Sequence, residues 1–234
     1  MNGDPLNILY AEYGYKPGLI TQIVKGEKYT AVMLNDGSIG ICGNDMDSAV
    51  AENIPEDISD TGFRVLYNAY LNALLNYRGH TSTDGNILDL ISDNKGRRIV
   101  MVGFFRPLVE RALKLGIEMA VFDKARTENV IKPQESMPEV LKDADLLILS
   151  STTISNGSFS DIVNSAVKAD IHLLGPSSTL DPIFFFLPNI TVIHGMLFDK
   201  YDSVLLDKIG QGSCTPEFSH ELGHKVYISR ATKV

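Results

Sequence analysis

From Arg97 onward the chain alternates short, almost uninterrupted apolar runs with segments of helical spacing, and this alternation limits its fold more than any other feature. The runs are Ile99-Val100-Met101-Val102-Gly103 and residues 117–122, 146–149, 171–174 and 190–193. Runs this short and this apolar suit strands buried on both faces, as in a parallel sheet covered by helices. The expected fold class is therefore α/β, a mostly parallel sheet with helices on both faces, preceded by a smaller α+β domain. A single helix-forming segment separates the strand ending at Asp123 from the strand opening at Asp145. That spacing predicts strand order 2-1-3-4-5, with the ligand crevice beyond the carboxyl ends of the first and third strands.

Local signals place the helices of this half. Pro107 suits a first helical turn, where its missing N–H is not needed, and Gly116 suits the stop. Ser136 and Glu139 have capping-box spacing, which predicts a helix to about Asp143, and Ser158 with Asp161 has the same spacing. A further helix is expected over 199–209, and residues 226–229 read as a last edge strand.

The first 95 residues read differently. Residues 29–34 and 39–41 are β-rich and flank Asn35-Asp36-Gly37-Ser38, a hairpin signal because Asp and Gly tolerate the backbone of tight turns. Residues 19–24 offer a third strand. Ser59, Asp60 and Thr61 then offer caps for a helix that Gly79 would stop, with Leu66, Tyr70, Ala73, Leu74 and Tyr77 as its apolar stripe. Asn68, Asn72 and Asn76 form a second stripe four residues apart. It reads as a polar surface, or as a face lining a wet interdomain pocket. Residues 80–95 carry a short helix at best and serve as the connection. The expected division is 1–95 and 96–234.

A formal charge of −8 and a pI near 5.1 argue against a nucleic-acid-binding surface, which needs clustered Lys and Arg. No apolar stretch approaches the roughly 20 residues of a membrane span. The first five residues lack the basic and apolar regions of a signal peptide. Two widely separated cysteines, Cys42 and Cys214, suit free thiols in a reducing cytoplasm, the expected location. A homo-oligomer is left open.

Candidate chemistry clusters at the strand ends. Gly103 is followed by Phe104, Phe105, Arg106 and Pro107, so the three-glycine fingerprint of dinucleotide binding is absent. Phe104 or Phe105 either stacks on a flat ligand ring or packs in the core. Asp123 ends a strand where such folds often bond a ribose hydroxyl, which would fit an S-adenosylmethionine enzyme; the alternative is a surface pair with Lys124 or Arg126. The stretches 150–157 and 175–179 are dense in hydroxyls, Asn and Gly. Thr152, Thr153, Asn156, Gly175, Ser177 and Ser178 would therefore suit an anionic or oxygen-rich ligand. His194, at the end of its apolar run, reads as an acid, base or metal ligand, or as a structural histidine. His220-Glu221-Leu222-Gly223-His224 matches the zinc-peptidase pattern, but Pro216, Gly223 and the β-rich residues 226–228 oppose the helix it needs. An exposed turn is the expectation there.

The chain resembles the heavy-metal chelation family, in which an enolase-N-terminal-like domain precedes a Rossmann-like domain. The resemblance rests on residues 29–34 through Gly40, on Leu71-Asn72-Ala73-Leu74, on Gly103-Phe104-Phe105-Arg106-Pro107-Leu108-Val109, on Thr152-Thr153 with Asn156-Gly157, on Gly175-Pro176-Ser177-Ser178 and on Gly210-Gln211-Gly212. It implies a site between the two domains for a pterin-, flavin- or siderophore-like molecule, bound and modified by condensation or hydrolysis. Carried residue by residue, it points to Asn72, Phe105, Arg106, Asp123, Thr152, Asn156 and Ser177. Arg106 would hold an anionic group, Asn72 would reach over from the first domain and Phe105 would stack. The resemblance names no cofactor. With two cysteines and one well-placed histidine, any metal is expected to be held by the organic ligand rather than by protein alone. The rival functions are a non-catalytic carrier or sensor of a metal–chelator complex and an S-adenosylmethionine-dependent enzyme.

Overall fold

The computed structural model describes residues 3–44, 56–79, 87–187, 189–219 and 221–230. Helix α1 (Pro5–Tyr13) is opened by Asp4, whose carboxylate accepts the Leu6 N–H at 2.9 Å. It leads into an antiparallel sheet of β1 (Ile20–Lys25), β2 (Tyr29–Leu34) and β3 (Ile39–Gly43). The hairpin between β2 and β3 forms where residues 35–38 predict it. Gly37 takes φ +82°, and Asp36 accepts from the Ser38 N–H.

Helix α2 (Thr61–Leu75) starts at Asp60, whose side chain accepts from Phe63 N at 2.8 Å. The expectation of a one-sided apolar stripe is too modest, because the helix is buried almost all round. It packs on β2 and β3 on one side and reaches the larger sheet on the other, sharing one hydrophobic core with Val100, Leu147, Leu173 and Ile193. A helix enclosed on every side must be apolar or internally paired throughout. Phe63, Tyr67 and Tyr70 supply most of the bulk, each under 2% exposed.

The short helix α3 (Asp89–Asp93) precedes the larger sheet; residues 80–86 of the expected connection lie outside the described residues. The sheet contains β4 (Ile99–Val102), β5 (Met119–Phe122), β6 (Leu146–Ser150), β7 (Asp170–Leu174), β8 (Ile190–Phe198) and β9 (Gly223–Ser229). Its spatial order is β5-β4-β6-β7-β8-β9, parallel except for the antiparallel β8–β9 pair. In sequence terms this is 2-1-3-4-5 with the expected edge strand added. Leu146, Leu147, Ile148 and Leu149 of the central β6 are all within 1% of complete burial, which accounts for a run with no polar alternation.

Helix α4 (Arg106–Leu115) follows β4 and ends at left-handed Gly116. Leu108, Val109 and Ala112 join Ile99, Met101 and Ile148 in a separate core on one face. Helices α5 (Met137–Lys142), α6 (Thr152–Ser155) and α7 (Phe159–Ser165) precede β7, and residues of each enter the main core on the opposite face. Two expected caps differ in detail. Neither Ser136 nor Ser158 accepts from its helix; Ser136 Oγ donates to the Pro133 carbonyl, and Ser158 is bound by Asn156 Oδ1.

Two expectations near the carboxyl end are corrected. His194 does not end its strand. β8 continues to Phe198 because β9 pairs antiparallel with it from Val192↔Ser229 to Phe198↔Gly223. For the same reason helix α8 (Ser203–Gly210) begins later than residue 199, capped by Asp202. Helix α9 (Thr215–Ser219) follows. His224 lies on β9 rather than in a turn, exposed and 3.2 Å from Asp199, and His220 is outside the described residues. A strand at His224 cannot supply the helical face that the zinc-peptidase pattern demands. Among the described residues no helix is long and apolar enough to cross a membrane.

Candidate functional site

Adjacent β4 and β6 send their following helices to opposite faces, so the chain parts beyond their carboxyl ends. A crevice of about 370 Å³ lies there. Its floor is Val102 at the end of β4 with Gly103 just beyond it, and Phe122 at the end of β5 with Asp123 just beyond it. Ser150, Thr152, Thr153, Asn156 and Ser158 form a hydroxyl- and amide-rich wall. Gly43 and Asn44, at the end of β3, close the side toward the smaller sheet. Lys124, Gln134 and Asp161 add further polar groups, and Met137 and Ile162 add apolar ones.

The wall is held in shape from within. Ser150 Oγ and Thr152 Oγ1 share a hydrogen bond at 2.8 Å, Thr153 Oγ1 donates to the Ser150 carbonyl at 2.6 Å, and Ser155 Oγ donates to the Thr152 carbonyl at 3.0 Å. Asp123 accepts the Phe104 N–H and the Ala125 N–H, each at 2.8 Å, so its carboxylate fixes the ends of β4 and β5. The ribose role requires oxygens already engaged with backbone.

The site residues expected from sequence divide into two groups. Gly103, Asp123, Thr152, Thr153 and Asn156 line the crevice together. Phe105 instead caps α4 half-buried against the core beneath that helix, and Phe104 packs there too. Arg106 is turned to solvent, 61% exposed, 3.6 Å from Glu128 and stacked over the Phe104 ring.

Asn72, Ser177 and Ser178 belong to a buried seam, and half-buried Gly175 opens the loop that enters it, its N–H donating to the His194 carbonyl. Ser177 Oγ accepts from Gly43 N at 2.8 Å, and the Ser177 carbonyl accepts from Asn68 Nδ2. Asn72 donates to the Ile41 carbonyl and accepts from Thr179 Oγ1. Asn76 donates to the Ser178 carbonyl and accepts from Leu180 N. All three asparagines are at most 3% exposed. The asparagine stripe is therefore not a polar surface; Asn68 and Asn72 are sealed, and Asn76 at its end borders a cavity of about 870 Å³ lined also by Leu180, Asp181 and Tyr227. The stripe replaces backbone partners for the 175–180 loop, whose buried N–H and C=O groups would otherwise cost roughly 1–3 kcal/mol each.

His194 lies away from the crevice. Its Nε2 is 3.2 Å from Nδ1 of His172, and the rings meet edge to edge, with centroids 5.4 Å apart and planes 28° apart. Burial pushes both imidazoles down to about 4, so both are neutral at pH 7.

Arg64 is the residue that sequence reasoning missed: it positions the crevice wall without lining it. It lies within the buried surface of α2 and clamps the far end of α6: Nε donates to the Ser155 carbonyl at 2.8 Å and Nη2 to the Ile154 carbonyl at 2.6 Å. Nη2 also pairs with Asp4 at 2.7 Å. The signal was present, since an arginine between Phe63 and Val65 on a strongly apolar helix needs buried acceptors.

The family model described as "Putative heavy-metal chelation", DUF364, matches residues 86–228, more than half of the chain. The chain belongs to this family. No curated protein matches it. Among solved structures it is similar to a DUF364 protein from Desulfitobacterium hafniense, with a TM-score of 0.78 at 17% identity, covering 96% of this chain and 100% of that one. It is likewise similar to a DUF364 protein from Pyrococcus horikoshii, with a TM-score of 0.75 at 22% identity, covering 90% of this chain and 93% of that one. Both are described as proteins of unknown function, and at these identities the likeness shows the fold. The metal implied by the family's description finds no dedicated cage: among the described residues, no group of three or more His, Cys, Asp or Glu side chains could hold an ion.

Proposed function

We propose that this DUF364 protein binds a small, planar, oxygen-rich molecule, of the kind that chelates metal ions, in the crevice between β4, β6 and the end of β3. One observation carries this reading: a pocket of about 370 Å³ in which hydroxyls and amides converge over an apolar floor at the switch point of the sheet. That volume falls within the range of small-molecule sites, toward its lower end, and suits a bicyclic heteroaromatic or a catechol-sized ligand.

The division of labour follows from the lining. Met137 and the uncovered edges of Val102 and Ile162 would cover the flat faces, while Asn156 and the Thr152 hydroxyl would satisfy its edge heteroatoms. Lys124 would balance an anionic group. A metal would enter as cargo on the organic molecule, since the crevice offers hydroxyls and amides rather than the thiolates or imidazoles that borderline metals prefer. The lining hydroxyls of Ser150, Thr152, Thr153 and Ser155 bond to one another and to backbone carbonyls rather than to a base, which favours carriage of the ligand over covalent chemistry on it.

The test is native mass spectrometry of freshly purified protein, followed by calorimetric titration with a pterin, a flavin and a catecholate, each with and without ferric ion. One of these classes should bind. Thr152→Val and Lys124→Ala should each weaken it about tenfold, the equivalent of one hydrogen bond or charge contact. Absence of both a retained molecule and any titration heat would reject the reading, as would binding that both variants leave unchanged. Conversion of the bound molecule would reject carriage in favour of catalysis.

A further inference from the structure

The His172–His194 pair lies outside the crevice, and the following inference stands independently of the function proposed for it. His172 is on β7 and His194 on the neighbouring parallel β8, where His194 lies in register with Leu174, two residues beyond His172. Their side chains therefore share one face of the sheet, diagonal to each other. His194 also faces Tyr227 across the β8–β9 ladder, with ring centroids 5.8 Å apart. This holds the imidazole between two aromatic neighbours. Both histidines are half-buried rather than sealed.

The geometry points to a two-imidazole site for a divalent borderline metal ion such as Zn²⁺ or Cu²⁺, formed by His172 Nδ1 and His194 Nε2. Zinc binds imidazole nitrogen at about 2.0–2.1 Å, which puts two nitrogens of a tetrahedral site about 3.3 Å apart. The pair stands at 3.2 Å without any ion. An ion displaced from the line between the two nitrogens would reach both once each ring pivots by about 35° and the proton shared in their hydrogen bond passes to the outer nitrogen of its ring. Neutral imidazole is the form that coordinates, and desolvation already favours it at both rings.

The other polar groups nearby fit this assignment. Asp170, two residues before His172 on the same face, is paired with Arg97 at 2.6 Å and so remains outside the site. Cys42 and Cys214 are remote in the fold: one is buried beside Asn68, the other exposed before α9. The protein thus supplies two ligands, and water or an exogenous donor completes the sphere. Two imidazoles with open positions predict micromolar rather than tighter affinity, and a preference for an ion that arrives with some ligands of its own.

The full-length protein, dialysed against a chelator, would be titrated with Zn²⁺ while the imidazole nitrogens are followed by long-range ¹H–¹⁵N spectroscopy. One equivalent should shift the resonances of His172 Nδ1 and His194 Nε2. Cu²⁺ at one equivalent should give an electron paramagnetic resonance spectrum split by two imidazole nitrogens. His172→Gln and His194→Gln should each abolish these signatures, whereas His224→Gln should keep them. The wild-type spectra decide the matter even if a variant fails to fold. Ring resonances of this pair that stay in place at one equivalent of Zn²⁺, or a copper spectrum that survives both substitutions, would overturn the site and leave the pair as a structural hydrogen bond. Neither result bears on ligand binding in the crevice.

Discussion

Arg64 donates from Nε to the carbonyl of Ser155, 91 residues away in sequence, and so fastens α2 to the helix that forms the hydroxyl wall of the crevice. The same guanidinium holds the Ile154 carbonyl and the Asp4 carboxylate. Three elements, α1, α2 and α6, meet on one side chain that is 9% exposed. The wall containing Thr152 and Thr153 is positioned by a residue that never touches the pocket.

Arg64→Met should therefore lower stability by about 3 kcal/mol, because it strips two buried helix-end carbonyls and a half-buried carboxylate of their partner. Arg64→Lys should recover little, since one ammonium cannot reproduce a planar fork. Urea denaturation measures both. A midpoint for the methionine variant equal to the wild type would show that the clamp contributes nothing.

The asparagine seam predicts a cost that residue type alone would not. Asn76→Leu keeps the volume but leaves the Ser178 carbonyl and the Leu180 N–H buried and unpaired. The loss should be about 3 kcal/mol, larger than any gain from burying the leucine's extra apolar surface. Chemical denaturation of this variant within about 0.5 kcal/mol of wild type would refute the seam.

Gly40 is where β3 touches α2 most closely. A Cβ there would stand 2.2 Å from both the Ala69 carbonyl oxygen and the Ala73 nitrogen. Both are backbone atoms of a helix enclosed on all sides, so neither can yield cheaply. Gly40→Ala should cost more than about 3 kcal/mol or yield insoluble protein, while Gly18→Ala, with nothing within 4 Å, should fall within about 0.5 kcal/mol of wild type. Equal melting temperatures for the two variants would contradict this packing.

Asp145 gives the acid limb of the stability curve. Hydrogen bonds from the Arg98 side chain and backbone hold its carboxyl at about 2, below an unfolded value near 4. Its folded value is depressed, so the stabilisation is complete above about pH 4 and disappears as pH falls toward about 2. The pair is exposed to solvent, so the effect is modest and weakened by salt. Asp145→Asn should flatten the fall in urea midpoint between pH 4 and pH 2 relative to wild type. Parallel curves for the two proteins across that interval would exclude the contribution.

The strands were legible because their signals are local. Leu146 to Leu149 could hardly be anything but a central strand once flanked by a helical segment and a polar turn. The single helix between Asp123 and Asp145 then set the strand order. The crevice was legible in part: Gly103, Asp123, Thr152, Thr153 and Asn156 sit at strand ends, and strand ends meet. Arg106, read as anion-seeking because it stands at a helix start, lies outside the crevice lining, beside Glu128 and over the Phe104 ring at the surface. Ser177 misled because a hydroxyl-rich loop after a strand looks like a binding loop. Here the loop turns inward, and its hydroxyl serves Gly43.

Taken alone, the chain's apolar periodicity and turn residues were sufficient to define the parallel sheet, its order and the location of a crevice beyond its strand ends, because each depends on neighbours a few residues apart. Tertiary structure alone decided which polar groups would face that crevice and which would be consumed in holding the two sheets together. Asn68, Asn72 and Asn76 find their partners in the 175–180 loop, more than 100 residues away. A hydrogen bond constrains the space between its two ends and leaves no periodic trace in the sequence between them.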